Sequence, residues 1–476
     1  MRFAKNKHWW LIVIGTIVWS LTMIKSGLVY SFGMGFWGPN GHDGIWHLAV
    51  ISGLSRFNLA MPIFAGEMIK NYHLGFDILV AALHLLTQIP SVNLYFQILP
   101  PIMAALIGFL VYKLTGNLWS VFFTYFGGSL GWILGKGEST FWSQQAVSTL
   151  LNPPYALSLI LLLLLLLLLR GNRYILAGLV LGLLPQVKIY AGLLQLTANS
   201  YKLLVWSPGW YLETMMGLSD RLNWPKFYQA MLVYKTTHHP LKLPISYFVA
   251  FVIFLVGNLG TRILAFSPFR RPNGLLKGDR YFMWPVIILG VVIPMFFLQS
   301  GTPWNSLQFF YYTQFFLGIL AGQAISKLRY TIPIILLTVP TTFQSFSHYL
   351  PKQPPAMISN EEQAALKFLS TLPPGVVLTY PAQPDAYAPA HPTFLEDTVN
   401  LDITGFSWRD RLSQVKTFFS SSDPDSAVKF IKNYNIYYIY LSDVAHFRPI
   451  LSESQLGFKK LFENSQAAVW GKSNEN

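Results

Sequence analysis

Gly41, His42, Asp43, Gly44, Ile45, Trp46 and His47 place one acid between two histidines, just after the first long apolar run. A positioned carboxylate can take the proton of a hydroxyl as that oxygen forms a bond. Asp43 is the acid for this role. His42 and His47 could orient it or hold a substrate. With His73 they could also ligate a divalent metal, since imidazole is the commonest protein ligand. His47 stands one helical turn from Asp43, and His73 one turn from Asp77, close enough to interact on a helix face. The plainer readings are a helix cap for Asp43 and interfacial hydrogen bonds for the histidines. For the histidines the plainer reading is favoured over metal.

The setting makes Asp43 unusual. Up to Pro355 the only acids are Asp43, Glu67, Asp77, Glu138, Glu213, Asp220 and Asp279. The chain of 476 residues is 53% hydrophobic, 16% aromatic and 11% charged. An average soluble domain is about a quarter charged. Several apolar runs approach the ~20 residues that span a bilayer, which reads as a polytopic α-helical membrane protein. A carboxylate near hydrocarbon is costly and usually marks function. There is no cysteine, which excludes disulfides, thiolate metal sites and cysteine nucleophiles. The net charge of +14 follows from loop cations that set topology, so nucleic acid is not an expected partner.

Taken in order, Arg2, Lys5 and Lys7 precede a first apolar run to Tyr30, which puts the N-terminus in the cytoplasm and Asp43 outside. Residues 31–92 form the first outer loop. In it, 43–54 reads as a short helix and 63–86 as a helical stretch lying in the outer interface. Further spans are expected near 93–112, 118–135, 149–169, 174–205, 244–262, 281–299, 307–325 and 330–348, about nine in all by apolar length. Lys113, Arg170, Arg173, the basic cluster 262–280, Lys327 and Arg329 then fall inside, and every early acid but Asp279 outside. The membrane domain is expected over 1–350. After the linker Pro351, Lys352, Gln353, Pro354 and Pro355, residues 356–476 read as a small soluble α/β domain outside the cell. Its expected elements are a helix 360–369 with Asn360 as cap, a strand 376–380, a helix 425–434, a strand 436–441 and a terminal hairpin 458–462 with 467–471.

A second set of polar residues lies at the outer span ends: Gln144, Gln145, Asn152, Asn305, Gln308, Tyr311 and Tyr312, near Trp142 and Trp304. Uncharged hydrogen-bonding groups beside aromatic rings suit a sugar; an interfacial aromatic belt is the alternative. Lys188 sits beside Pro185 in an otherwise apolar run. An ammonium there can face an anion or snorkel to headgroups. Arg56, Arg221 and Lys226 are weaker cationic candidates.

The acid after the first span, the helical first outer loop and the terminal α/β domain together resemble the GT-C integral-membrane glycosyltransferases, in particular the bacterial RgtA/B/C/D-like and ArnT/PMT-like enzymes. The residues that carry the resemblance are 41–47, Asn71 to Asp77, Asn152 with Pro153 and Pro154, Gly301 to Asn305, and Gln308 to Tyr312. The resemblance implies transfer of a sugar from a polyprenyl-phosphate donor to a hydroxyl of a lipid, glycan or protein at the outer face. It fits Asp43 as the base; together with the residue readings above, His42, His47, Arg56, His73, Asp77, Gln145, Asn152, Lys188, Asn305, Gln308 and Tyr311 are the candidate substrate-binding residues. Family members with an acidic pair in the first loop differ from this chain, whose acid is single, so a divalent metal is the less favoured arrangement. A transporter or flippase, or a polymerase or ligase for lipid-linked glycans, is the alternative.

Overall fold

A computed structural model describes residues 7–188, 190, 204–267, 274–325, 331–379, 391–442 and 452–473. Its contacts divide the chain into two units. One joins Met1–Met23 to Ile98–Pro351; the other joins Ile24–Gln97 to Lys352–Asn476.

The first unit is mainly helical, with one short antiparallel strand pair, Leu204–Trp206 with Phe297–Gln299. Among the described residues four helices are long and apolar enough to cross a membrane: Ser91–Thr115, which enters this unit at Ile98, Pro153–Arg170, Lys242–Phe266 and Lys277–Phe296. At its hub the helix Gln308–Ile325 buries nearly every side chain. It packs against Leu118–Phe126, Lys277–Phe296 and the 3-10 segment Gly260–Phe266. A helix apolar all round is a helix enclosed all round. Asp279, the one early acid expected inside, accepts from Arg170 Nε at 3.0 Å on both oxygens.

Several expected crossings come out shorter, for local reasons. The first helix is Lys7–Ser20, and the chain then turns into a strand at Leu28–Tyr30. The run 118–135 is α-helical only over Leu118–Phe126, with a 3-10 turn at Gly131–Leu134. Gly127 and Gly128 follow, and the backbone packs closely there: a Cβ on Gly260 (φ 51°) would lie 2.4 Å from the Gly128 carbonyl oxygen. The run 330–348 forms two helices, Thr331–Thr338 and Pro340–Tyr349, because Pro340 has no N–H to continue the ladder. The run 174–205 gives a helix at Tyr174–Val187; residues 189 and 191–203 lie outside the described residues, as do Arg2, Lys5, Arg270, Arg271, Lys327, Arg329 and Tyr380.

The second unit is mixed. An antiparallel sheet joins Leu28–Tyr30, Gly33–Phe36 and Ala356–Ser359. A four-stranded sheet runs Val376–Thr379, Ile436–Leu441, Ala468–Lys472, Phe458–Glu463. Its first pair is parallel and the others antiparallel. The helix Asn360–Leu369 is capped by Ser359 rather than Asn360: Ser359 Oγ accepts from Glu362 N at 3.1 Å, and the Glu362 carboxylate accepts from Ser359 N at 2.8 Å. That reciprocal pair satisfies two orphan donors of the first turn. The long outer-loop stretch expected over 63–86 is helical only at Gly75–Thr87. Residues 62–65 instead bond the backbone of 393–396: Thr393 N to Pro62 O at 2.8 Å, Ala65 N to Thr393 O at 2.8 Å, Glu396 N to Ile63 O at 3.1 Å. One core therefore holds Trp46, Val50, Met61, Ile63 and Phe64 together with Leu378, Phe394, Leu401, Ile439 and Trp470.

Candidate functional site

The helix Asp43–Leu54 carries Asp43 in its first turn, where its charge complements the helix dipole. Gly44 sets the helix close to its neighbour, since a Cβ there would lie 2.6 Å from Phe96 Cζ. Trp46 and Val50 anchor the buried face in the core. Asp43 is not the cap; His42 holds that position and makes no side-chain cap.

His42 bridges two acids. Its Nδ1 lies 2.8 Å from Asp43 Oδ1, and its Nε2 lies 3.0 Å from Asp397 Oδ1. The Asp43 side chain is 54% exposed and that of Asp397 9%. The hydrogen bond to Asp397, then that to Asp43, pushes the His42 imidazole up to about 10 against the burial that opposes it. His42 is thus an imidazolium at neutral pH and donates from both nitrogens. Burial by itself would raise the Asp397 carboxyl, but the bond and charge of His42 and the donors of Asn400 hold it below its usual range. Asp397 also caps the helix Thr398–Thr404 from a left-handed backbone conformation (φ 42°), tolerable for Asp at a cost of roughly 1 kcal/mol. Sequence reading passed over Asp397. Its signal was local, an Asp before a helix; nothing local could pair it with His42, 355 positions away.

The one-turn pairs expected from spacing are exchanged. His47 Nδ1 meets Asp77 Oδ1 at 2.7 Å, both buried, not Asp43. The His73 ring lies tilted against that of Tyr72, centroids 4.7 Å apart. Arg56 is exposed just past the far end of the helix, about 20 Å from Asp43 at 1.5 Å per residue. Among the described residues no group of three or more His, Asp or Glu side chains is arranged to hold a metal. A doubly donating His42 has no lone pair to offer one.

The first unit gathers the second polar set. Asn152 caps the helix Pro153–Arg170 through Tyr155 N at 3.1 Å. It also accepts from Lys188 Nζ at 3.2 Å, and its Nδ2 donates to Gln308 Oε1 at 3.4 Å. Gln308 Nε2 in turn donates to Asn305 Oδ1 at 3.2 Å. Lys188 is buried, so it does not snorkel. Gln145, Asn152 and Tyr311 line one pocket with Arg262, Gln314 and Tyr155; the space between them is about 440 Å³, part of it open solvent.

Arg262 is a correction to the expected sidedness. The sequence places it in the inner basic cluster and Gln145 outside. The structure buries Arg262 (2% exposed) and has its Nη2 donate to Gln145 Oε1 and, at 2.7 Å, to Asn258 O. The reason is the early end of the Leu118–Phe126 helix, after which residues 127–151 fold back as turns and 3-10 helix. Behind Gln145 lies Glu138, also buried. Its oxygens accept from Gln145 N at 3.1 Å, from Tyr349 OH at 3.1 Å and from Ser148 Oγ. Burial pushes this carboxyl up, against those donors.

No protein-family model matches the chain, and no curated protein matches it. Among solved structures it is similar to the archaeal oligosaccharyltransferase AglB from Archaeoglobus fulgidus in complex with an inhibitory peptide and a dolichol-phosphate. The identity is 12%, covering 93% of this chain and 70% of that one, with a TM-score of 0.44. The Archaeoglobus fulgidus oligosaccharyltransferase in complex with Zn and sulfate is similar at 11% identity, over 91% and 68% of the two chains, TM-score 0.43. At this identity and score the likeness sets no residue of this chain against one of that enzyme.

Proposed function

We propose that this chain is a membrane glycosyltransferase that moves a sugar from a polyprenyl-phosphate donor to an acceptor hydroxyl at the outer face, with Asp43 as general base. The observation that carries the reading is the His42 bridge: a buried acid, Asp397, fixes an imidazolium that in turn fixes an exposed acid. An alcohol is a weak nucleophile until a carboxylate takes its proton as the new bond forms, an effect worth about 10²–10⁴ in rate. In the proposed step the acceptor oxygen bonds the sugar's anomeric carbon. The bond from that carbon to the phosphate breaks, and its electron pair leaves with the lipid phosphate. The acceptor's proton goes to the Asp43 carboxylate and then to solvent. The bridge keeps Asp43 aimed while its second oxygen stays open to the acceptor.

The pocket with Arg262, Gln145, Asn152 and Tyr311 supports binding of a group with negative charge and many hydroxyls. A buried guanidinium with amide neighbours favours an anion, and Lys188 adds a second cation against Asn152. A second reading, transport of a lipid-linked glycan, draws support from the same observation, because buried charge within a membrane unit also marks a translocation path.

Purified wild type and Asp43→Asn, compared for binding and turnover of polyprenyl-phosphate sugars, separate the two. The expected result is a fall in transfer of about 10²–10⁴-fold with donor binding kept. Wild-type turnover by Asp43→Asn removes the base assignment. Binding and flipping of the lipid by wild type without any transfer supports the transporter.

A further inference from the structure

The helix Gly75–Thr87 has two faces of opposite use. Phe76, Asp77, Val80 and Ala81 are buried, and Asp77 grips His47 on the helix that carries Asp43. On the other side Ile78 (51% exposed), Leu79, Ala82, Leu85 and Leu86 (82% exposed) form an apolar stripe at helical spacing. No polar residue interrupts it. Thirteen residues make a helix of about 20 Å, too short for a hydrocarbon core of about 30 Å. So this helix does not cross, although its outer face is as apolar as a crossing.

Where the chain goes next bears on what covers that face. Gln88, in a left-handed cap (φ 59°), ends the helix. His84 Nδ1 then holds the Ile89 carbonyl at 2.7 Å. Pro90 follows, and Ser91 opens a 25-residue span of mean hydropathy 2.0. Leu86 is five residues from Ser91, at most about 18 Å even if fully extended. The stripe is therefore tethered, through a pinned three-residue link, to the point where a membrane-length helix begins. We infer that the Ile78–Leu86 face lies in the outer leaflet of the bilayer, its side chains among acyl chains, while the opposite face holds the helix of Asp43. The lipid surface is then one wall of the scaffold that positions Asp43. This inference stands apart from the transferase reading and is tested without activity.

The chain has no cysteine, so single labels can be introduced into otherwise native protein. Ile78→Cys, Ala82→Cys and Leu86→Cys, each carrying a nitroxide, are placed with full-length protein in phosphatidylcholine–phosphatidylglycerol vesicles. Collision rates with oxygen and with a water-soluble nickel chelate report depth. Ile102→Cys, on the outward side of the Ser91–Thr115 helix, is the lipid reference. Asp425→Cys, exposed in the other chain segment of the second unit, is the water reference. The inference expects oxygen to dominate at all three test positions, as at 102. It is overturned if they behave like 425. It is equally overturned if both reagents are excluded, which means that protein, such as a second copy, covers the stripe.

Discussion

Asp397 holds Asp43 only through His42, and that makes an ionisation the control point. His42 has a folded-state value near 10 against 6.5 for the free group. A raised value means the bridge stabilises the fold fully below about pH 6.5 and that this contribution is lost as pH rises through about 10. Asp397, held low, contributes above its unfolded value of 3.8 and loses its share as pH falls through its folded value. Asp397→Asn removes the larger support of the imidazolium. The expected outcome is an alkaline limb of transfer moved to lower pH, with the His42 ring titrating earlier by NMR and Asp43 still present. An unmoved limb removes the bridge from the mechanism. The candidate base was legible because an acid so placed is rare in this chain. The adjacent His42 was legible with it, but Asp397, the second acid on His42, was not, because hydrogen bonding across 355 positions leaves no trace in local spacing.

At the scale of elements, the placement of Asp43 depends on how closely the Asp43–Leu54 helix packs. Gly44 is the contact that permits it, at 2.6 Å from Phe96 for an added Cβ. Gly44→Ala favours the helix locally by up to about 1 kcal/mol, yet overpacks its contact by about 1–3 kcal/mol. The expected net result is a lower Tm and transfer reduced more than donor binding, read by thermal unfolding and single-turnover assay. An unchanged Tm shows that the Phe96 ring simply moves aside. The same competition between local and tertiary terms explains which elements were legible. The strand Ile436–Leu441 and the helix Asp43–Leu54 occupy the expected residues, since their patterns are strong and their ends are marked. The runs 118–135 and 330–348 looked like single spans because hydropathy averages over a Gly pair and a proline that break the backbone ladder.

For the whole molecule, the division by composition at 351–355 and the division by contacts give different expectations. Composition separates a terminal domain able to fold alone. The contacts join 352–476 to 24–97 through one core and a backbone pairing of 62–65 with 393–396. Cutting the chain after Pro351 uncovers Trp46, Val50, Met61, Ile63 and Phe64. At about 1.5–3 kcal/mol for each buried apolar side chain, that loss is on the scale of a domain's entire stability, about 5–15 kcal/mol. Residues 352–476 expressed alone are expected to aggregate or to lack a cooperative transition, and to recover one when co-expressed with the remainder. A cooperative, soluble 352–476 fragment decides for the division by composition.

The sequence by itself determined the solvent of this protein and its scarce chemistry. Apolar runs of bilayer length, loop cations and one acid among histidines are properties of composition and order, and hydrophobic transfer reads them residue by residue. The tertiary structure decided the partners: Asp397 on His42, Asp77 on His47, Arg262 on Gln145. A charge or hydrogen bond is set by distance in space. Each of these distances is reached only after the chain has closed loops of 30, 117 or 355 residues, and no local pattern encodes which loops close.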